Sequence, residues 1–276
     1  MNTILLLVLI VLTILMSMNN IKRLKQYRKD KTYIDIYTKI LRDTDGAYDE
    51  LVNYIGSEND ACLKTKSELI KLYEDIKDDK DLSEFDEIDF VKDIFYDGEV
   101  FSKDRVTLNS EVFIWFILIL SRARNLSMMD VMDNLYNKVS KYEENLNTYI
   151  EYQVFKASYN VLLEKNEDGV SFLKKLLNGE YTEYTYDKNL IGIYKKIAAC
   201  LLCYAGEIVE ESDEDLIKDF TTTLIGNRFT KDLGIYEKYS PMVEDEKNVE
   251  ETAEEPAKEL EETSESVKEE TDGKEE

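Results

Sequence analysis

The chain has 276 residues, and its 59 acidic residues outnumber its 35 lysines and arginines, which gives a formal charge of −24 without any histidine. The lack of imidazole excludes a Ser-His-Asp or Cys-His catalytic site and any histidine-bound metal. Two prolines and ten glycines are too few for a turn-rich β-sandwich. So acidic a chain repels phosphate backbones, and we therefore expect no nucleic-acid partner.

The first segment of the chain is apolar. Residues 3–18 carry no charge, and residues 19–21 extend the uncharged run to nineteen residues, close to the ~20 that a membrane-spanning helix needs. A cleavable signal peptide would have basic residues before the apolar run and small residues after it, and this run has neither. We therefore expect residues 1–21 to be a transmembrane anchor that is retained.

A basic juxtamembrane segment follows at residues 22–31, which hold six basic residues and one acidic residue. Basic residues beside a span stay on the cytoplasmic side and attract anionic lipid headgroups. We therefore expect a single-pass protein of the cell membrane with its N-terminus outside and the bulk of the chain in the cytoplasm. The residues expected to contact lipid headgroups are Lys22, Arg23, Lys25, Arg28 and Lys29.

Residues 32–242 have helical periodicity, with apolar side chains at three- and four-residue steps. The clearest stripes lie at 33–40, 63–76, 128–142, 146–162 and 190–205. The nine apolar residues from Val112 to Leu120 are too few to span a bilayer, and they predict a helix buried on several sides. Residues 78–109 are less regular and predict a long connection. Residues 181–186 are the one candidate for a short strand.

The predicted helices recur in pairs. First helices begin near 110, 148 and 187, a spacing of about 38 residues, and second helices begin near 128, 167 and 213. Similar glycine-containing breaks stand at 45–48 and 168–170. Over residues 30–76 and 110–226 the pattern resembles degenerate tetratricopeptide-type repeats. It departs from that family in three ways: it lacks the Trp-x-x-Leu-Gly-x-x-Tyr run, no proline closes a repeat, and the spacing exceeds the family's value of about 34.

The resemblance implies an all-α solenoid of helix pairs, in which each pair packs on its neighbours and a curved surface remains for peptides or proteins. An irregular helical domain is the alternative interpretation. Tyr181, Tyr184 and Tyr186 cluster in a predicted inter-helix loop. Exposed tyrosines suit a partner-binding surface, whereas tyrosines on helix faces pack the core with the hydroxyl at the rim.

The chain offers no strong chemical motif. Cys200 and Cys203 form a C-x-x-C inside an apolar helical stretch, which favours packing over redox or metal chemistry. The acidic runs at 78–81 and 210–215 lack the alternating carboxylates and central glycine of a calcium-binding loop. We therefore assign no catalytic, cofactor-binding or metal-binding residue.

Residues 243–276 form an acidic tail of 16 acidic and 4 basic residues. Its apolar residues are few and isolated, so burial cannot offset the entropy lost on ordering, and we expect it to be disordered.

These features favour a non-enzymatic scaffold or adaptor, tethered to the membrane of a bacterium, that binds a protein partner through its helical domain. One alternative is a membrane-bound hydrolase or transferase that uses carboxylates and a divalent metal. The other is an envelope or translocation accessory factor whose domain lies outside the cell.

Overall fold

The structure is a computed structural model that describes residues 2–58, 61–77, 106–164, 167–185, 188–207 and 210–240. In these ranges the chain forms helices and one isolated bridge, so the predicted all-α class is confirmed for them. The helices are Asn2–Leu41 (α1), Ala47–Ser57 (α2), Ala61–Lys77 (α3), Val106–Asn125 (α4), Met129–Ser140 (α5), Glu143–Leu146 (α6), Ile150–Glu164 (α7), Glu167–Asn178 (α8), Ile191–Ala205 (α9), Glu211–Thr221 (α10), Leu224–Asp232 (α11) and Tyr236–Tyr239 (α12).

Helix α1 projects from the helical body. Its side chains are described from Met18 onward, and those described between Met18 and Arg28 are all exposed. Burial in this helix begins at Tyr33 and continues at Ile36, Ile40 and Leu41, which belong to the core of the body. Among the residues whose side chains the structure describes, no helix is both long enough and apolar enough to cross a membrane.

Helix α4 is the centre of the body. Every residue from Val112 to Leu120 is at most 4% exposed, because α3, α5, α7 and α11 all pack against this helix. The rings of Phe113 and Phe116 both contact Phe155 of α7, with centroids 6.0 and 5.7 Å apart. The prediction of a helix buried on several sides is confirmed.

Helices α7 to α11 pack against one another in chain order, and α7 also contacts α9. This order of contacts is compatible with stacked helix pairs. The predicted break at 168–170 is wrong, because these residues form the first turn of α8. The glycine serves packing: a Cβ on Gly169 would lie 3.0 Å from the carbonyl oxygen of Ala157 and 3.1 Å from Val161 Cγ2 of α7.

The last helices of the chain pack against the first ones. Helix α11 packs on α1 and α4, and Arg228 Nη2 donates to the carbonyl oxygen of Ile40 at 2.8 Å and to Asp43 Oδ1 at 2.7 Å. Nearby, Arg122 Nε donates to Asp232 Oδ1 at 3.4 Å. In an open solenoid each repeat contacts only its neighbours. The contacts of α11 with α1 and α4 therefore add to the neighbour contacts of the helix pairs and join the two ends of the described helices.

Three further predictions concern the connection, the candidate strand and the acidic tail. The predicted connection at 78–109 extends too far, because α4 already begins at Val106. Residues 78–105 lie outside the described residues. The candidate strand at 181–186 reduces to a single parallel bridge between Tyr149 and Tyr184. The acidic tail at 243–276 lies outside the described residues.

The turn before α11 depends on a threonine cap. Thr223 has extended backbone, and its Oγ1 accepts a hydrogen bond from the backbone N–H of Gly226 at 3.0 Å. We expect Thr223→Ala to lower the free energy of unfolding by about 1 kcal/mol, because the first turn of α11 loses its acceptor. Urea unfolding of the full chain followed by circular dichroism measures this loss. The control is Thr222→Ala, at an exposed hydroxyl that donates only to the carbonyl of Asp219; an equal loss there would contradict the cap.

Candidate interaction surface

The outer face of α8 lies beside an extended segment, residues 180–184, which follows the helix. Val170, Leu173 and Leu176 are buried on the inner face of α8. Gly179, at φ +75°, ends the helix, and the N–H of Glu180 donates back to the carbonyl oxygen of Lys175 at 2.8 Å. The left-handed glycine therefore turns the chain back along α8.

The far end of the 180–184 segment is held against the start of α7. The N–H of Tyr184 donates to the carbonyl oxygen of Thr148, and the N–H of Ile150 donates to that of Tyr184, each at 2.8 Å. Thr185 Oγ1 donates to the buried carboxylate of Glu151 at 2.7 Å. These bonds hold the end of the segment against the start of α7, with Tyr184 in an isolated parallel bridge.

Two grooves flank the outer face of α8. The first, of about 370 Å³, lies between α8 and the 180–184 segment. Its lining consists of Asp168, Ser171, Phe172, Lys175, Glu180, Tyr181, Thr182 and Glu183. The second, of about 510 Å³, extends from α8 to Glu207, beyond the end of α9. Because Ser171, Lys175 and Glu180 line both, the grooves form one continuous surface, which we call the α8 surface.

The α8 surface is acidic. Five acidic and two basic side chains line its two grooves, a net charge of −3. One of the bases, Lys174, forms an ion pair with Glu207 at 2.6 Å. Near the far end of the 180–184 segment, partial burial raises the pKa of the Tyr149 hydroxyl, and the Glu151 carboxylate raises it further. The carboxylates of the lining therefore dominate the potential of the surface.

The three tyrosines that the sequence singles out are placed in different ways. Tyr181 lines the first groove, and Tyr184 is 71% exposed just beyond it. Tyr186 lies outside the described residues. Sequence reasoning missed the acidic lining residues Asp168, Glu180 and Glu183. No local signal in the sequence could have found the last two, because acidic residues occur throughout the chain.

The basic residues that follow the apolar segment lie on the projecting part of α1. Lys22, Arg23, Lys25 and Arg28 are exposed, and helical steps of about 100° distribute them around the whole helix. Lys29 differs, because its Nζ lies 2.6 Å from Glu58 Oε1 at the end of α2. Four of the five residues therefore present unburied charge, and the fifth joins α1 to the body.

The cysteine pair belongs to the core of α9. Cys200 is fully buried, and burial raises the pKa of its thiol. Cys203 Sγ lies 3.4 Å from the hydroxyl of Tyr239. The packing interpretation of Cys200 is confirmed. In the part of the chain that the structure describes, no group of three or more cysteine or acidic side chains is placed to hold a metal ion.

Comparisons of the chain with protein-family models, with curated proteins and with solved structures give no match. What the α8 surface binds has therefore to follow from its own shape and charge.

Proposed function

We propose that the protein is a membrane-tethered scaffold or adaptor whose tetratricopeptide-like helical domain binds a partner protein in the cytoplasm, without catalysis. The α8 surface is the observation that supports this function. Most of the outward-facing residues of α8 line two joined grooves, and the exposed ring of Tyr184 lies beside them. Large, rigid aromatic side chains at the rim of a groove are typical of protein interfaces.

The tether is proposed from the sequence. Residues 3–18 are uncharged and mostly aliphatic, and the basic residues begin directly after them at Lys22. About twelve helical residues separate Ile21 from Tyr33, where burial begins, so the domain would stand about 18 Å from the membrane surface. The proposed topology places the N-terminus outside the cell. A reporter fused after Glu276 tests this topology, because activity of the reporter only outside the membrane would reverse it.

Cross-linking in intact cells tests the proposed partner binding. We expect a photoreactive phenylalanine analogue at Tyr184 or Tyr181 of the full-length protein to form a discrete covalent adduct with a second protein, because both positions border the first groove. The adduct is detected as a band of higher mass and identified by mass spectrometry.

The control position is Val52 on α2, which is 40% exposed and lies on a helix that packs on α1 and α3. The proposal predicts no discrete adduct there. Equal adducts at Val52 and Tyr184, or none at either tyrosine, would contradict a partner-binding role for the α8 surface.

A further inference from the structure

We infer that the partner presents to the α8 surface an extended segment rich in lysine or arginine, which lies in the first groove and pairs with the backbone of the 180–184 segment. This inference rests on the proposed function and specifies the chemistry of the partner. Three independent properties of the first groove support it: the backbone edge on one wall, the charge of its lining, and the two aromatic rings that it contains.

One wall of the groove is a backbone edge. Tyr184 directs both its N–H and its carbonyl group toward α7. In an extended chain the neighbouring residues direct theirs the opposite way, so the backbone groups of Glu183 point away from α7. In the part of the chain that the structure describes, neither Tyr181 nor Glu183 makes a backbone hydrogen bond. Such an edge is a template for an added strand.

The negative charge of the first groove favours a basic occupant. Asp168 and Glu180 lie at opposite sides of the groove, Glu183 stands on the backbone edge, and Lys175 is the one basic residue in the lining. An acidic or neutral segment gains nothing from this arrangement, and an acidic one is repelled. A basic segment gains complementarity that steers its approach and favours it over competing segments.

The two aromatic side chains of the first groove suit long basic side chains. Phe172 on α8 and Tyr181 on the segment are both partly exposed. The aliphatic stems of lysine and arginine can pack on such rings while their charged ends reach the carboxylates at the rim. An alternating basic segment would place every second side chain toward the groove while its backbone pairs with Glu183.

The first test identifies the part of the partner that is bound. In the Tyr181 cross-link described above, we expect the cross-linked peptide of the partner to carry at least two lysines or arginines within about five residues of the attachment point. A specific adduct on a neutral or acidic stretch would overturn this inference and leave the proposed function standing. The absence of a specific adduct would overturn the proposed function itself.

The second test uses defined probes on the purified full-length protein in detergent. The probe is a fluorescent peptide of about ten residues that alternates lysine with threonine, and its binding is followed by fluorescence anisotropy. We expect Glu180→Gln with Glu183→Gln to weaken this binding by about tenfold or more. A peptide that alternates glutamate with threonine should not bind. N-methylation of alternate backbone amides in the lysine peptide should also weaken binding, because it removes the hydrogen-bond donors.

The matched control is Glu211→Gln with Glu237→Gln, which removes two exposed carboxylates from α10 and α12 and should leave the affinity unchanged. Equal binding of the lysine and glutamate peptides, or equal weakening by both double variants, would overturn the inference. Circular dichroism of the variants separates a lost site from a lost fold.

Discussion

Replacing Gly226 by alanine should strongly destabilise the helical domain. The backbone of Gly226 lies against the carbonyl group and the ring of Phe220, and an added Cβ would overlap that carbonyl. The turn cannot open without cost, because the carbonyl of Phe220 accepts from the N–H of Thr223 at 2.9 Å and from its hydroxyl at 2.7 Å. We expect a loss of about 3 kcal/mol or more in the free energy of unfolding, measured by urea unfolding of the full chain.

The control for this substitution is Gly192→Ala in the first turn of α9. Its Cβ would meet nothing within 4 Å, so we expect no loss and a gain of up to about 1 kcal/mol from the higher helix propensity of alanine. If Gly226→Ala were as stable as Gly192→Ala, the close approach between α10 and α11 would be wrong.

Replacing Arg228 by methionine should separate α11 from the end of α1. The guanidinium group is buried, and it donates to the last carbonyls of α1, at 3.3 Å for Leu41 and 2.8 Å for Ile40. It also lies 3.7 Å from the carboxylate of Glu74 on α3. Methionine retains much of the volume but removes the guanidinium donor, so the Leu41 carbonyl loses its bond and Glu74 keeps its ion pair with Arg122. Removing one partner of a buried ion pair costs about 3 to 5 kcal/mol, a large part of the stability of a domain.

Arg42→Met is the matched control for the Arg228 variant. Arg42 is exposed and immediately follows α1, so its substitution should change the unfolding free energy by less than about 0.5 kcal/mol. Hydrogen exchange of the two variants locates the effect. We expect faster exchange at the C-terminal end of α1 and in α11 for Arg228→Met alone, and uniform exchange changes in both variants would contradict a local contact between the chain ends.

The helical class and the central helix could be predicted because they depend on local pattern. The apolar run from Val112 to Leu120 has no polar face to offer to water, so burial on several sides follows from composition. The burial of Cys200 follows in the same way, since the apolar residues on both sides of it mark the inward face of α9. These elements needed no knowledge of distant contacts.

The closure of the domain could not be predicted. Arg228 is separated from Ile40 by 188 positions, and an arginine in a short polar helix is ordinarily exposed. The residue that precedes α5 could not be predicted either. Ser127 resembles a cap in the sequence, but the residue before α5 is Met128, without a side-chain cap bond, because Ser127 itself adopts a left-handed conformation with φ +60°.

The candidate surface was predictable in part. Tyr181 and Tyr184 attract notice because aromatic residues are unusual in a loop, and the structure places both at the first groove. Glu180 and Glu183 are two of 59 acidic residues, and nothing local distinguishes them. Only the turn at Gly179 and the bonds to α7 bring these carboxylates opposite α8.

The length of α1 has a mechanical consequence. The helix is one element from Asn2 to Leu41, a rod of about 60 Å. Its last two carbonyl groups accept hydrogen bonds from Arg228. A tilt of its leading turns would load first the contact of Lys29 with Glu58, and then the buried stretch from Tyr33 to Leu41 that ends at Arg228. The exposed part of α1 therefore acts as a lever that pivots where the helix meets the body.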